Sequence, residues 1–420
     1  MRILYISYFY PPLGGPAALR NTAVVKHLRA SGWEIDVLTV RDPEYNYHDE
    51  SLEDMASSVI RVPSLDPMSI LKKLRFNKAK SAGTLYRQTP ESLKLKLRRL
   101  FPLDDKSPWL PFLIRSAKQL MAKQKYDLIY VSCGPFSSGL AAWKLSRSSG
   151  IPYVYDARDY WTLLSDYQLQ GWSRQLSRSW EARILKAAAL VVTATDGIRE
   201  DLADGFGAYL PDKSLTVFNG WDEDEFQGLE ASEPEDFILS YYGNIYARRS
   251  LSAFYAAVSK LQRENALPPN TRIRLYGSFN REVLQEIASS GIQALIELIE
   301  QLPHREALQS MLNSSVLLLV INSSSPRGTL TSKVFEYLRT RKPILAMVPA
   351  HKEAAKLLNS CNHDYLCAME SVDGIAQTLR RLISERGIKK DYLCPVELSR
   401  KAQISRLEAR LSELVHQPKK

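Results

Sequence analysis

The stretch "SVLLLVINSSSPRGTLTSKVFEYLRTRKPILAMV", residues 315–348, decides the fold. It opens on an apolar run of strand length, 316–321, and closes on a second, 343–348. Between them stand a polar loop, 323–333, and a helix-length segment, 332–340. Val334, Tyr337 and Leu338 fall at i, i+3 and i+4, one face of a helix. Strand, helix and strand in that order predict a parallel pair with a crossover helix. The same helix poses a chemical question. Thr331 or Ser332 would serve as its cap, yet Lys333 stands in the first turn, where the helix dipole is already positive. An anion docking at that end accounts for a cation there, with the backbone N–H groups of Gly328, Thr329 and Leu330 forming an anion nest. Glu336 falls off the apolar stripe, three residues beyond Lys333. A surface ion pair between the two is the local alternative.

The pattern repeats along the chain. "RILYISY" (2–8), "EIDVLTV" (34–40), "SVIRV" (58–62), "DLIYVSC" (127–133), "PYVYDARD" (152–159) and "SLTVFNG" (214–220) read as strands. Helices are expected over 22–31, 111–123 and 135–148, and "ARILKAAALVVTAT" (182–195) runs from helix into strand. The pattern then starts again with "FILSYYGN" (237–244) and "RIRLYG" (272–277), with helices near 250–264 and 305–312. Short strands followed by helices predict parallel sheets covered on both faces. The fold class expected is α/β, with two doubly wound domains. The first takes 1–215, with a basic insert at about 66–106, and the second 216–390. They join at "NGWDEDEF" (219–226), which has turn chemistry. A charged helix within 391–420 is expected to cross back to the first domain.

A chain of 420 residues exceeds one ordinary core, in keeping with two domains. Hydrophobic content of 45% with 24% charged residues is that of a folded globular protein and excludes disordered or collagen-like classes. The four cysteines, Cys133, Cys361, Cys367 and Cys394, form no CxxC pair, so neither a disulfide framework nor structural zinc is expected. No apolar run reaches membrane-spanning length, and "MRILYISYFYPP" reads as a first strand rather than a signal peptide. The net charge of +10 is concentrated. Residues 71–100 hold Lys72, Lys73, Arg75, Lys78, Lys80, Arg87, Lys94, Lys96, Arg98 and Arg99 against Glu91 alone. Such a patch suits an anionic partner or a solvated insert.

Four strand-end loops carry chemistry. In "YFYPPLGGPAALR" (8–20), Gly14 and Gly15 permit close backbone approach before a helix start. The loop is not GxGxxG, so a dinucleotide fingerprint is absent. In "YDARDYW" (155–161), Asp156, Arg158 and Asp159 crowd a strand end beside Trp161. Three charges there are costly unless paired or functional, and an internal ion pair of Arg158 with an aspartate is the alternative. In "YYGNIYARRS" (241–250), Gly243 and Asn244 precede Arg248 and Arg249, which stand at a helix start suited to clamping a phosphate. The fourth is the loop 323–333.

In order and spacing, these elements resemble glycosyltransferase family 4, of GT-B architecture. "YFYPP…GG…R" looks like the family's N-terminal acceptor-side loop, and "YDARDYW" is similar to an Asp-x-Arg-Asp-x-Trp element of bacterial polysaccharide transferases. "FNGWDEDEF" looks like its crossover, "GNIYARRS" like its Gly-loop-basic element, and "SKVFEYLRTRKPILA" resembles its "sKlfEYlaaGkPvla". The resemblance implies two Rossmann-like domains facing across a cleft. It implies a nucleotide-diphosphate-sugar donor held mainly by the second domain. Arg249, with Arg248 near, and Lys333 would contact the diphosphate and act catalytically on it. Glu336 would accept from the ribose hydroxyls, and Gly14 and Gly15 would face the transferred sugar. Gly243, Asn244, Gly328, Thr329, Leu330 and Ser332 would complete the donor site. Arg20, Asp156, Arg158 and Asp159 would lie on the acceptor side, with Asp159 orienting the acceptor.

The implied reaction retains the anomeric configuration, needs no metal and no other cofactor, and delivers sugar to a saccharide or polyprenyl-linked acceptor for cell-surface polysaccharide such as lipopolysaccharide or capsule. Two departures stand out. The family's Glu-x7-Glu pair lacks its first member, Gly328 standing there, and Arg341 replaces the glycine of "aaGkP". A catalytically lapsed nucleotide-sugar-binding member and a non-hydrolysing UDP-sugar epimerase are the competing readings. A nucleic-acid-binding protein would explain the charge but not the four loops. The expected location is cytoplasmic, with the basic insert peripheral on the inner membrane face. Each Lys or Arg near an anionic leaflet contributes about 1 kcal/mol. Flotation with anionic but not with zwitterionic vesicles is the expected outcome; equal recovery with both would reduce the insert to a solvated loop.

Overall fold

The computed structural model describes residues 1–41, 48–49, 52, 54–66, 101, 103–164, 171–243, 245 and 250–416. The chain divides into two compact units, Met1–Phe218 with Lys401–Lys420, and Asn219–Arg400. The sequence-based borders at 215/216 and 390/391 fall short of these. Both units are α/β with parallel sheets, as the alternation of short apolar runs and helices predicts.

Among the described residues the first unit holds a seven-stranded sheet in the order β3-β2-β1-β4-β5-β6-β7. Its strands are β1 (Arg2–Ser7), β2 (Glu34–Val40), β3 (Ser58–Val62), β4 (Leu128–Ser132), β5 (Tyr153–Ala157), β6 (Leu190–Thr193) and β7 (Ser214–Thr216). Side chains alternate across the pleat. Leu4, Ile6, Ile129 and Val131 enter one core, with the helices Leu110–Lys123 and Ser137–Ser149. Ile3, Tyr5, Leu128 and Tyr130 enter the other, with Val24 and Leu28 of the helix Pro16–Ala30. Ile404, Leu407 and Leu411 of the helix Arg400–His416 close that second face. The first helix begins at Pro16 rather than at 22, because a proline in the first turn lacks only an N–H that would be unpaired anyway.

The main buried charges of this unit are paired. Arg20 donates to both carboxylate oxygens of Asp156, each at 3.0 Å, and to the Val217 carbonyl at 2.8 Å. Tyr130 donates to the same carboxylate at 3.0 Å, and Tyr5 stacks on Tyr130 with ring centroids 4.8 Å apart. Both members of the ion pair are buried. The described ends of the basic insert are pinned, Lys106 Nζ lying 3.4 Å from Asp66 Oδ1. Asp104 accepts from the Ser137 N–H at 2.6 Å and its hydroxyl at 2.9 Å. Burial pushes the Asp104 carboxyl up to about 6 against those hydrogen bonds. The basic run itself lies outside the described residues.

Among the described residues the second unit holds a six-stranded sheet in the order β10-β9-β8-β11-β12-β13. The strands are β8 (Phe237–Tyr242), β9 (Thr271–Tyr276), β10 (Ile296–Ile299), β11 (Val316–Val320), β12 (Ile344–Met347) and β13 (Leu366–Cys367). β10 and β13 and the helices Arg281–Ser289 and Glu353–Ser360 are short, and the helix Val372–Ser384, whose Ile375, Leu379 and Leu382 fall at helical spacing, went unread in the sequence. The winding reverses between β8 and β11, which lie side by side while their successors run to opposite edges. Ligands of such sheets bind at the carboxyl ends of the strands at that reversal. The helix Lys333–Thr340 ends at Arg341, whose φ of 54° is left-handed. That conformation costs a non-glycine residue roughly 1–2 kcal/mol, which is why glycine is the usual occupant.

The buried pair makes Asp156 a stability residue of the first unit. Asp156→Ala leaves the Arg20 guanidinium buried without its carboxylate, at an expected cost of about 3–5 kcal/mol. A urea unfolding curve checks this; an unchanged midpoint would return Asp156 to the acceptor side.

Candidate functional site

In the second unit the β8–β11 reversal brings two of the four loops together. The chain leaves β8 at Gly243, whose φ of 122° suits glycine. A Cβ at Gly243 would also collide with Lys333 Nζ and lie 2.9 Å from its Cε, so a side chain there would displace the lysine. The Lys333 ammonium also stands 5.7 Å from the centroid of the Tyr241 ring. The lysine of one strand-end helix is thus laid against the backbone of the other strand's loop. Asn244, Arg248 and Arg249 lie outside the described residues.

The start of the Lys333–Thr340 helix is not capped as its sequence suggests. Ser332 occupies the cap position with helical φ and ψ and makes no side-chain capping bond. The Thr331 hydroxyl is buried with no hydrogen-bond partner. No side chain caps the helix start, which lies beside a cation, and its Val334 and Phe335 N–H groups turn back to the Thr331 and Ser332 carbonyls, each at 3.2 Å. The preceding loop is anchored. Lys352 Nζ donates to the carbonyls of Ser323 and Ser325, each at 2.5 Å, and Ser323 donates to Glu370 at 2.7 Å. Of the anion-nest groups expected from sequence, the Thr329 N–H is engaged in a turn to Pro326 O at 3.1 Å. Gly328 is buried, while Thr329 and Leu330 are half-buried.

Glu336 is buried, not on a solvated face, because the helix buries Val334 through Leu338 consecutively. The cations nearest its Oε1 are His304 Nε2 at 3.8 Å and Arg400 Nη2 at 3.9 Å. Both cations are held more tightly by Glu225, which His304 meets at 3.1 Å and Arg400 at 2.9 Å. Burial raises the Glu336 carboxyl above its ordinary value, with His304, Arg400 and Lys333 opposing and Glu225 adding. Burial would also raise Glu225, but the His304 hydrogen bond and the Arg400 charge overcome it and hold that carboxyl at about 2. Burial disfavours the His304 imidazolium, and the Glu225 hydrogen bond with the Glu336 charge more than restores it, so its value is raised. Sequence reading missed this trio. Glu225 sits in a crossover turn, His304 opens a helix after a short strand, and Arg400 is 64 residues beyond Glu336. The one local signal was His304 following Pro303 at a helix start.

In the first unit, Arg158 and Asp159 lie past the end of β5. Arg158 Nε donates to the Cys133 carbonyl at 2.7 Å, and its guanidinium stands 5.7 Å from the Phe9 ring centroid. A Cβ at Gly134 would meet that guanidinium at 2.6 Å. Asp159 approaches Arg158 only to 3.8 Å, and its side chain is 65% exposed. Behind them Trp161 stacks on Phe136, ring centroids 5.4 Å apart, and Glu181 accepts from the Thr162 N–H and hydroxyl. Burial pushes Glu181 up to about 7 against those bonds. An exposed carboxylate is thereby presented beside packed neighbours. Asp156 and Arg20, by contrast, are committed to each other. Asp156 pairs with Arg20, so the ion pair of Arg158 with an aspartate that the sequence allowed is the one with Asp159. Gly15, with φ of 95°, opens the helix Pro16–Ala30 without a side-chain cap, and Gly14 beside it is half-buried. Among the described residues no group of three or more His, Cys, Asp or Glu is placed to hold a metal, and no helix is long and apolar enough to cross a membrane.

Residues 15–220 match the family model described as a glycosyl transferase 4-like domain. No curated protein matches the sequence. Solved structures match over nearly the whole chain at low identity. The sucrose-phosphate synthase of Thermosynechococcus elongatus is 15% identical with a TM-score of 0.64, over 99% of this chain and 98% of that one. The lipopolysaccharide outer core galactosyltransferase WaaB, in its apo form, is 12% identical with a TM-score of 0.58, over 99% of both chains. The UDP-GlcNAc 2-epimerase of Neisseria meningitidis bound to UDP-GlcNAc is 12% identical with a TM-score of 0.52, over 98% of this chain and all of that one. At these identities the likeness is one of fold.

The charge cluster has a pH signature. A histidine whose value is raised on folding adds stability fully present below its unfolded value of about 6.5, lost as pH rises through the raised value. His304→Gln keeps a polar side chain but not the charge. The gap in melting temperature between wild type and variant should therefore be widest near pH 6 and shrink by pH 9. A gap independent of pH would show that His304 is not charged in the folded state.

Proposed function

We propose that this chain, whose residues 15–220 form a glycosyl transferase 4-like domain within a two-unit GT-B architecture, is a retaining glycosyltransferase using a nucleotide-diphosphate-sugar donor. The observation that carries the reading is the Lys333–Thr340 helix at the β8–β11 reversal. Its start carries a cation pressed against Gly243 and N–H groups that no side chain caps, and a buried carboxylate follows one turn later. A diphosphate fits the first feature and a ribose diol the second.

The chemistry follows from charge. As the glycosidic bond to the leaving diphosphate breaks, negative charge grows on phosphate and positive charge on the anomeric carbon. Lys333 and the helix N–H groups stabilise the first, and the sequence reading assigns Arg248 and Arg249 to the same task. A preorganised donor of this kind acts at the transition state more than in the ground state. A phosphate oxygen of the leaving group accepts the acceptor's proton, so no separate base is required. Asp159, exposed past the end of β5, orients the acceptor hydroxyl. UDP carrying an N-acetylated or deoxy sugar is the donor we favour, and a saccharide or lipid-linked saccharide of a cell-surface polysaccharide the acceptor. The UDP-GlcNAc complex and the lipopolysaccharide galactosyltransferase among the structural relatives support that preference.

A thermal-shift screen with UDP, GDP, ADP and dTDP is expected to single out one nucleotide, with the shift abolished in Glu336→Ala. Lys333→Ala should lower kcat on the order of 10²–10³-fold, and the wild-type rate should survive chelator. No shift with any nucleotide would overturn the donor assignment. Interconversion of a free nucleotide-sugar without acceptor would favour an epimerase.

A further inference from the structure

Among the described residues Glu336 is an unusual buried carboxylate. The buried Asp156, Asp104 and Glu181 and the half-buried Glu225 are each satisfied by hydrogen bonds of 2.6–3.1 Å. Glu336 instead has the Arg400 guanidinium at 3.9 Å and the His304 imidazole, a cation when protonated, at 3.8 Å, near enough to balance charge and too far to occupy its oxygens. The cations stand off because Glu225 holds them. Arg400 is further fixed by its backbone. Its N–H donates to the Trp221 carbonyl at 2.7 Å and its Nε to the Asn219 carbonyl at 3.3 Å. Trp221 and Ser399 form a parallel bridge, and Gly220 is packed so closely that a Cβ would meet Leu398 O at 2.6 Å. The two segments that carry the chain into and out of the second unit thus run side by side and aim one guanidinium at Glu336.

We propose that Arg400 and His304, anchored by Glu225, are positioning residues that keep Glu336 ionised with its oxygens unoccupied, so that it accepts from the ribose 2′-hydroxyl of the donor nucleotide. This rests on Glu336 being the ribose acceptor of the proposed function. A carboxylate already bonded to Arg400 would have to give up that bond on binding. A carboxylate without the cations would bind a proton in its buried site and lose acceptor strength. The Glu225 anchor avoids both outcomes. The charged and titratable groups facing Glu336 are His304 on the helix His304–Leu312, Arg400, Glu225 in the crossover turn and Lys333 on its own helix.

The test is calorimetric titration with matched ribo and 2′-deoxy diphosphates of uridine, guanosine and adenosine. A hydrogen bond to a charged group gives wild type a preference for the ribo form of about tenfold or more. Arg400→Gln and His304→Gln should each cut that preference several-fold, and Arg400→Lys should restore much of it. In Arg400→Gln, raising the pH from 7 to 9 should recover the preference as Glu336 ionises, which a merely structural role would not produce. Should Arg400→Gln fail to fold, His304→Gln carries the same comparison. A full wild-type preference in the folded variants would overturn the positioning role alone. A wild type without ribo preference in any pair would overturn the ribose assignment of Glu336 and this inference together.

Discussion

A parallel sheet covered on both faces leaves little room for polar chemistry except at the carboxyl ends of its strands. Everything else of consequence in this chain follows from that constraint. In the second unit β8 and β11 are neighbours whose crossovers depart to opposite edges, so the loops that follow them meet at one place. Gly243 and Lys333 come from different crossovers, yet a methyl group on one would collide with the ammonium of the other. The lysine in the first turn is explained by tertiary placement rather than by helix propensity, which disfavours it there.

The two units treat buried charge differently. In the first, Arg20 and Asp156 satisfy each other by a two-pronged pair and leave nothing for a ligand. Such a pair fixes the register of the first helix against β5 more than it adds net stability, since desolvation cancels much of the attraction. In the second, the charges form a chain in which one carboxylate holds both cations and the other is only neighboured by them. The first arrangement is closed, whereas the second leaves acceptor oxygens with hydrogen bonds still to make. The exposed Asp159 is a third case, kept in place by its backbone, with Trp161 and Thr162 fixing the loop from behind.

Much of the fold was legible because apolar runs of strand length recur between helical stretches, and two cycles of that pattern imply two wound sheets. The strand ends were legible too, since glycine and clustered charge mark them, and this gave Gly243, Lys333, Glu336, Arg158 and Asp159 as residues of interest. Partnership was legible only in part. An aspartate partner for Arg158 was legible but not which one: Asp159 approaches it at 3.8 Å, while Asp156 is taken by Arg20 from a helix 136 residues away in the chain. Glu336 looked solvated because a three-position stripe suggests one buried face, yet a short helix wedged beside its sheet buries consecutive residues.

By itself, then, the sequence determined the α/β class, the doubling of the sheet and the loops that bear polar chemistry, because those depend on local periodicity and turn residues. Only the tertiary structure decided which charges are structural and which are available. That depends on desolvation and on partners distant along the chain. Glu225, His304, Glu336 and Arg400 span the second unit almost from end to end and become one cluster only when the chain's outgoing segment is laid against its incoming one.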